Sequence, residues 1–226
     1  MGDVELHLSL LRRATASTIL AHLHNPIEQE IAASSQRVKN AKDEYRGEVE
    51  IEECALIDEL LGMAFVAAQI FITGVRTIVE DLSRACSANG RPLPLVKDPK
   101  AKASWVLDIG EQVAGSTYTA IQVAYHVANY WKHRDEWETC EKVTGERFSR
   151  VWKTDNKNDK TVRILSSIGI EYSTGPLPGH LRTAAEAFGV TDDYADLSPV
   201  RQKVRHWAEA LYKAVVNALE GGDSAT

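Results

Sequence analysis

From Glu50 to Cys86 apolar residues return at every third or fourth position: Cys54, Ile57, Leu61, Ala64, Ala68, Phe71, Val75, Ile78 and Leu82. That spacing follows the α-helical turn, and it persists far beyond the length of an ordinary strand. Between Leu60 and Val75 there is no charged residue. A helix apolar on all sides is a core helix that neighbours must contact from several directions. The uncharged run is shorter than the roughly 20 residues of a membrane span and includes Gln69 and Thr73, so no membrane crossing is expected.

The flanking segments are read as its neighbours. Asp3 to Leu23 predicts a first helix, with Val4, Leu8, Leu11, Ile19 and Leu23 apolar. Asn25-Pro26 predicts a restart, with Asn as N-cap and Pro at the first helical position, into a highly charged helix that ends near Arg46. Arg91 to Lys102 holds three prolines and no period, and reads as a loop. A central helix begins near Trp105 or after Gly115. A short helix is expected through Cys140, Val143, Phe148 and Val151. Thr161 to Ile168 fits a helix or a strand. His180 to Phe188 predicts a short helix stopped by Gly189, and Ser198-Pro199 opens a last helix to Leu219. The expected fold is therefore all-α. It is an up-down bundle of four to five long helices in a single domain spanning 1–226, with a core over about 1–136 and a short helical appendage and closing helix over about 137–220.

Ten acids stand against four bases between Ile27 and Leu60, which accounts for the whole formal charge of −6. The rest of the chain is balanced. That distribution argues against non-specific coating of DNA but is compatible with a local groove for RNA. Cys54, Cys86 and Cys140 are far apart and lack CxxC spacing, as expected for packing cysteines in a reducing compartment. The opening residues MGDVELHL have no basic n-region, so no secretion signal is expected and the chain reads as cytoplasmic. P-loop, GxGxxG, HExxH and GxSxG patterns are missing, as is Glu-x-x-His for a di-iron bundle. His126 and His133, two turns apart, would need outside ligands to hold a metal, and no metal or cofactor is expected.

From Gln112 to Trp131 the chain again carries no charge. Wound as a helix, Val123, Ala124, Val127, Ala128 and Trp131 fall on one side with Ile121 beside them. Thr119, Gln122, His126, Asn129, Tyr130 and His133 fall on the other. A solvated face ordinarily carries Lys and Glu. Uncharged hydrogen-bonding groups in their place read as the lining of a site or of a subunit contact, or as polar groups that satisfy one another and cap neighbouring helices.

Asn129-Tyr130-Trp131-Lys132-His133-Arg134, at the end of this helix, resembles the motif of the HEPN superfamily of α-helical domains found in toxins, phage-defence proteins and RNA-processing nucleases. That motif is an Arg followed by a polar residue, with a His several residues on. Asn129 and His133 match its polar residue and histidine, whereas Ala128 stands at the Arg position. The resemblance implies a phage-defence or toxin–antitoxin protein, with RNA and a cognate antitoxin or defence-system partner as candidates for what it binds. As a metal-independent endoribonuclease it would use His133, Asn129 and Tyr130 for catalysis and Gln122, His126, Lys132 and Arg134 for binding. It also implies a homodimer in which the motif helices face each other, which fits the uncharged stripe because an isologous contact must match itself. Without the Arg, the alternative is a non-catalytic HEPN-like interaction or dimerisation module. A further alternative is a small-ligand sensor with a polar pocket on the 119–133 helix. The residues leave open whether the chain is an enzyme. Arg201-Gln202-Lys203-Val204-Arg205-His206 fits the same spacing, but His206 falls about 140° from Arg201, on the side expected to face solvent.

Overall fold

The computed structural model describes residues 2–93, 95, 104–133, 139–144, 147–152, 159–170, 179–191 and 193–221, with only the backbone described in the two strands. The protein is mostly helical. The described helices are α1 (Gly2–Thr15), α2 (Ile19–Asn40), α3 (Arg46–Ala88), α4 (Ala120–Lys132), α5 (Asp159–Ser167), α6 (His180–Ala187) and α7 (Ser198–Gly221), with a 3-10 turn at Ser104–Asp108. One helix dominates: α3 has 43 residues, against 24 for α7 and 22 for α2. The expectation of four to five long helices is met in its helical character but not in its lengths.

α3 is long because its apolar period never breaks, and its neighbours pack along it. Ile57, Leu61, Ala64, Ala68, Val75 and Leu82 are buried as their spacing predicts. His7 of α1 approaches Asp81, His24 of α2 bonds to the Ala64 carbonyl, and Ser34 bonds to Glu53. The residue numbers of each pair add to 87 or 88, so α1 and α2 run end to end, antiparallel to α3. On another flank, Gln69 bonds to the carbonyl of Tyr125 and to Asn129, which sets α4 against α3. Trp131 lies over Gly62, where an added Cβ would come within 2.2 Å of the indole. Glu28 of α2 accepts from the Leu197 N–H and the Arg201 guanidinium and so fixes the start of α7. Val200, Val204, Trp207, Ala208, Leu211 and Val215 of α7 are all buried, and the Trp207 indole N–H donates to the Val106 carbonyl at 2.7 Å. His206 is exposed, as its angle on the helix predicts.

Three local expectations are corrected. The first break falls at Ala16–Thr18 and not at Asn25-Pro26, and Pro26 lies inside α2. A proline inside a helix forfeits a hydrogen bond and costs about 3 kcal/mol or more. Burial of Leu20, His24, Ile27 and Ile31 on the same helix offsets that cost. Where α1 does end, Thr15 bonds back to the Arg12 carbonyl and Ser17 accepts from the Ile19 N–H, hydroxyls competing with the helix for its own backbone. Ile19 and Leu23, expected to face inward, are exposed. The helix expected through Cys140, Val143, Phe148 and Val151 is an antiparallel hairpin of β1 (Thr139–Thr144) and β2 (Arg147–Trp152), with Val143 paired to Phe148 and Cys140 to Val151. Val, Thr, Phe and Trp gathered on either side of Gly145 favour strands, and the steps of three from Cys140 to Val143 and from Phe148 to Val151 were coincidental. The open choice at Thr161–Ile168 resolves to helix, within α5.

α3 is long and apolar enough by length and composition to cross a membrane, but half of its most apolar window is buried inside the protein. Gly62→Ala is expected to lower stability by about 1–3 kcal/mol, because the new methyl overpacks the Trp131 indole. Denaturant melts check it: Gly62→Ala with Trp131→Leu should recover part of the loss.

Candidate functional site

The polar side of α4 is the place to look for chemistry, and its residues are positioned one turn at a time. Thr119 is the N-cap. Its hydroxyl accepts from the Gln122 N–H while the Gln122 side chain accepts from the Thr119 N–H, a complete capping box. Thr119 also donates to the Leu107 carbonyl, and the Gln122 amide donates to Asp108 at 2.6 Å, which ties the 3-10 turn to the start of α4. Thr119 and Gln122 are buried.

One turn on, His126 Nδ1 lies 2.7 Å from the Thr161 hydroxyl of α5. Burial, reinforced by the nearby Lys160 charge, lowers the His126 pKa from 6.5 to about 4. The imidazole is therefore neutral at pH 7 and is covered by α5. Asn129 Oδ1 accepts from Gln69 Nε2 at 2.7 Å. The Tyr130 hydroxyl shares a hydrogen bond of 2.8 Å with His180 Nδ1, at the first residue of α6. Next to that pair, Asp58 of α3 accepts from the backbone N–H groups of Gly179 and Arg182 and so caps α6 from another helix. Arg182 stands 3.5 Å from the Asp58 carboxylate and 3.5 Å from Cys54 Sγ. Burial raises the Asp58 pKa, against the pull of those N–H groups and of Arg182.

The sequence-predicted residues therefore divide. Asn129, Tyr130, Gln122 and His126 are turned inward onto α3, α5, α6 and the 3-10 turn, each with a named partner. Lys132 and His133 are exposed at the end of α4, where the His133 N–H donates to the Asn129 carbonyl. Ala128 is fully buried. Arg134 lies outside the described residues. The stripe is not gathered round one open point. Sequence reasoning missed Asp108, Thr161 and His180 as its partners, and Asp58 and Arg182 at the start of α6. Gln69, a polar residue in an uncharged apolar run, was the visible signal that α3 meets a polar surface there. Thr119-x-x-Gln122 was equally legible as a capping box.

Among the described residues no group of three His, Cys, Asp or Glu side chains could hold a metal ion. A cleft of about 250 Å³ opens elsewhere, between the α1–α2 break and the first turns of α7, where Thr15, Thr18, Phe71, Arg201 and Arg205 line it. Its two arginines are paired, Arg201 with Glu28 and Arg205 with Glu209. Compared with family models, with curated proteins and with solved structures, the chain matches none.

A second neutral imidazole, His24, is fully buried in α2, and burial again lowers its pKa to about 4. In the unfolded chain both histidines titrate near 6.5. Between pH 6.5 and 4 the unfolded state then binds more protons, so the stability present above pH 6.5 is lost as pH falls towards 4. Each histidine contributes on the order of 3 kcal/mol to that loss. Denaturant melts at pH 7 and pH 5 should show the drop, and His126→Gln should flatten it.

Proposed function

We propose that this chain is a non-catalytic, HEPN-like interaction module, an up-down helical bundle of the cytoplasm. The observation that carries this reading is at Ala128 and Asn129. Where the resemblance asks for a phosphate-binding Arg, the fully buried Ala128 packs into the core. The adjacent Asn129 is held by Gln69. An Arg at position 128 would bury a charge with no partner, which a core does not tolerate. Tyr130 is likewise engaged by His180. The polar stripe is thus accounted for as tertiary hydrogen bonding. The setting in phage defence or a toxin–antitoxin pair, with a cognate antitoxin or defence-system partner, rests on the resemblance alone.

The ribonuclease reading keeps one supporting observation: His133 and Lys132 are exposed side by side at the end of α4. A nucleophilic 2′-hydroxyl needs a base in reach and a group that steadies the phosphate, and a lost acid–base residue costs on the order of 10²–10⁴-fold. The sensor reading has less support, since Asp108, Gln69, Thr161 and His180 already bond to the groups of the 119–133 stripe.

Single-stranded RNA incubated with the protein in EDTA separates these. The module should leave RNA intact, and His133→Ala should keep its stability within about 0.5 kcal/mol, as for an exposed side chain. Cleavage by wild type that His133→Ala abolishes, with the melting temperature unchanged, would overturn the module reading in favour of the nuclease.

A further inference from the structure

We infer that the cleft between the α1–α2 break and α7 is a binding site for a small organic carboxylate with an apolar body. The site stands apart from the interaction-module reading, which draws on α4 and on none of the residues that line this cleft.

Arg201 and Arg205 of α7 both line the cleft, one turn apart on the same side of their helix. Each is held by an acid through a single nitrogen: Arg201 Nη1 donates to Glu28 at 2.6 Å, and Arg205 Nε donates to Glu209 at 2.9 Å. Arg201 Nη2 stands 3.9 Å from Asp196, too far for a hydrogen bond. A guanidinium carries five N–H donors, so both arginines keep donors for a ligand while their acids hold them in place. From α2 comes a second set of donors. Thr18 is the N-cap of that helix but makes no side-chain capping bond, and the first turn carries no acid. Leu20 and Ala21 line the cleft, and their backbone N–H groups have no acceptor among the described residues. Such amides, at the start of a helix of 22 residues, carry partial positive charge. Among the described residues no Asp or Glu lines the cleft.

The lining and its size select the occupant. Donor-rich walls without a carboxylate call for an acceptor that brings its own negative charge, and the guanidinium fork matches a planar carboxylate. Glu28 and Glu209 already offset part of the positive charge, so one negative charge suits the site better than two. The rest of the lining is apolar, with Phe71 of α3 beside Leu20, Ala21 and Val204, and takes a hydrocarbon body. The volume of about 250 Å³ is just below the roughly 300–1,000 Å³ of sites that enclose drug-sized ligands, so the occupant is a smaller molecule. A nucleic-acid strand fits less well. Running along α7 it would meet the Glu209 carboxylate, and at the start of α7 the exposed Asp196, and both repel phosphate.

Isothermal titration calorimetry with phenylacetate and with hexanoate tests this. At least one should bind wild type with a Kd of about 1 mM or tighter, a reachable affinity for a molecule of that size. Phenylacetamide and hexanamide, the same bodies without the charge, should bind at least about tenfold more weakly. Arg205→Gln should weaken the carboxylate about tenfold. The melting temperature of the free variant should stay that of wild type, because Arg205 is exposed and pairs only with Glu209 on its own helix. His133→Ala, at the end of α4, should leave the affinity unchanged. Binding of neither carboxylate at about 10 mM would overturn the inference. So would amides that bind as tightly as the acids, an Arg205→Gln variant with wild-type affinity, or a loss of affinity in His133→Ala. Single-stranded RNA that binds wild type but not Arg205→Gln, with neither carboxylate bound, would assign the arginines to nucleic acid instead.

Discussion

Everything in this fold leans on the burial of α3. A helix of 43 residues exposes far more apolar surface than its own hydrogen bonds can offset, and most helical stability in proteins comes from packing such a surface. α1 and α2 cover one flank, α4 and α6 another, and α7 closes over α1 and α4. Each fully buried Leu or Ile along this seam contributes about 1.5–3 kcal/mol relative to exposure. That scale explains why α2 tolerates Pro26: the apolar contacts of Ile27 and Ile31 outweigh one missing backbone hydrogen bond.

Polar groups inside this packing are the second constraint. A buried donor or acceptor left without a partner costs about 1–3 kcal/mol. The structure answers with bonds between helices: Gln69 to Asn129, His126 to Thr161, Tyr130 to His180, and Asp58 to the start of α6. These bonds are directional where apolar contacts are not, so they fix how α4, α5 and α6 sit on α3. The uncharged stripe of α4 thereby acquires a structural explanation. On α3, Met63 and Ile70 remain exposed about 100° round the helix from Gly62 and Gln69.

Legibility in the sequence followed the range of the interaction. The period of α3, the apolar face of α7 and the Gly189 stop of α6 are local patterns, and they stand where the residues put them. The stripe of α4 was also visible, down to Asn129 and Tyr130. Its partners were not, because Thr161 and His180 lie tens of residues away and no local pattern links them. Pro26 misled because a strong local signal competed with burial, and burial prevailed. Cys140 to Val151 misled because steps of three occur by chance in a segment too short for period alone to decide.

The sequence by itself determined that the protein is mostly helical, that α3 is its axis, and that one side of α4 is polar without charge. These follow from periodicity and composition, which act over a turn or two of helix. Only the tertiary structure decided that the polar side faces inward, that Ala128 is core, and that Ile19, Leu23, Met63 and Ile70 are left outside. Those outcomes depend on which helix covers which flank. Apolar burial is non-directional, and a chain with apolar residues on every side of its longest helix does not say which side its neighbours will leave open.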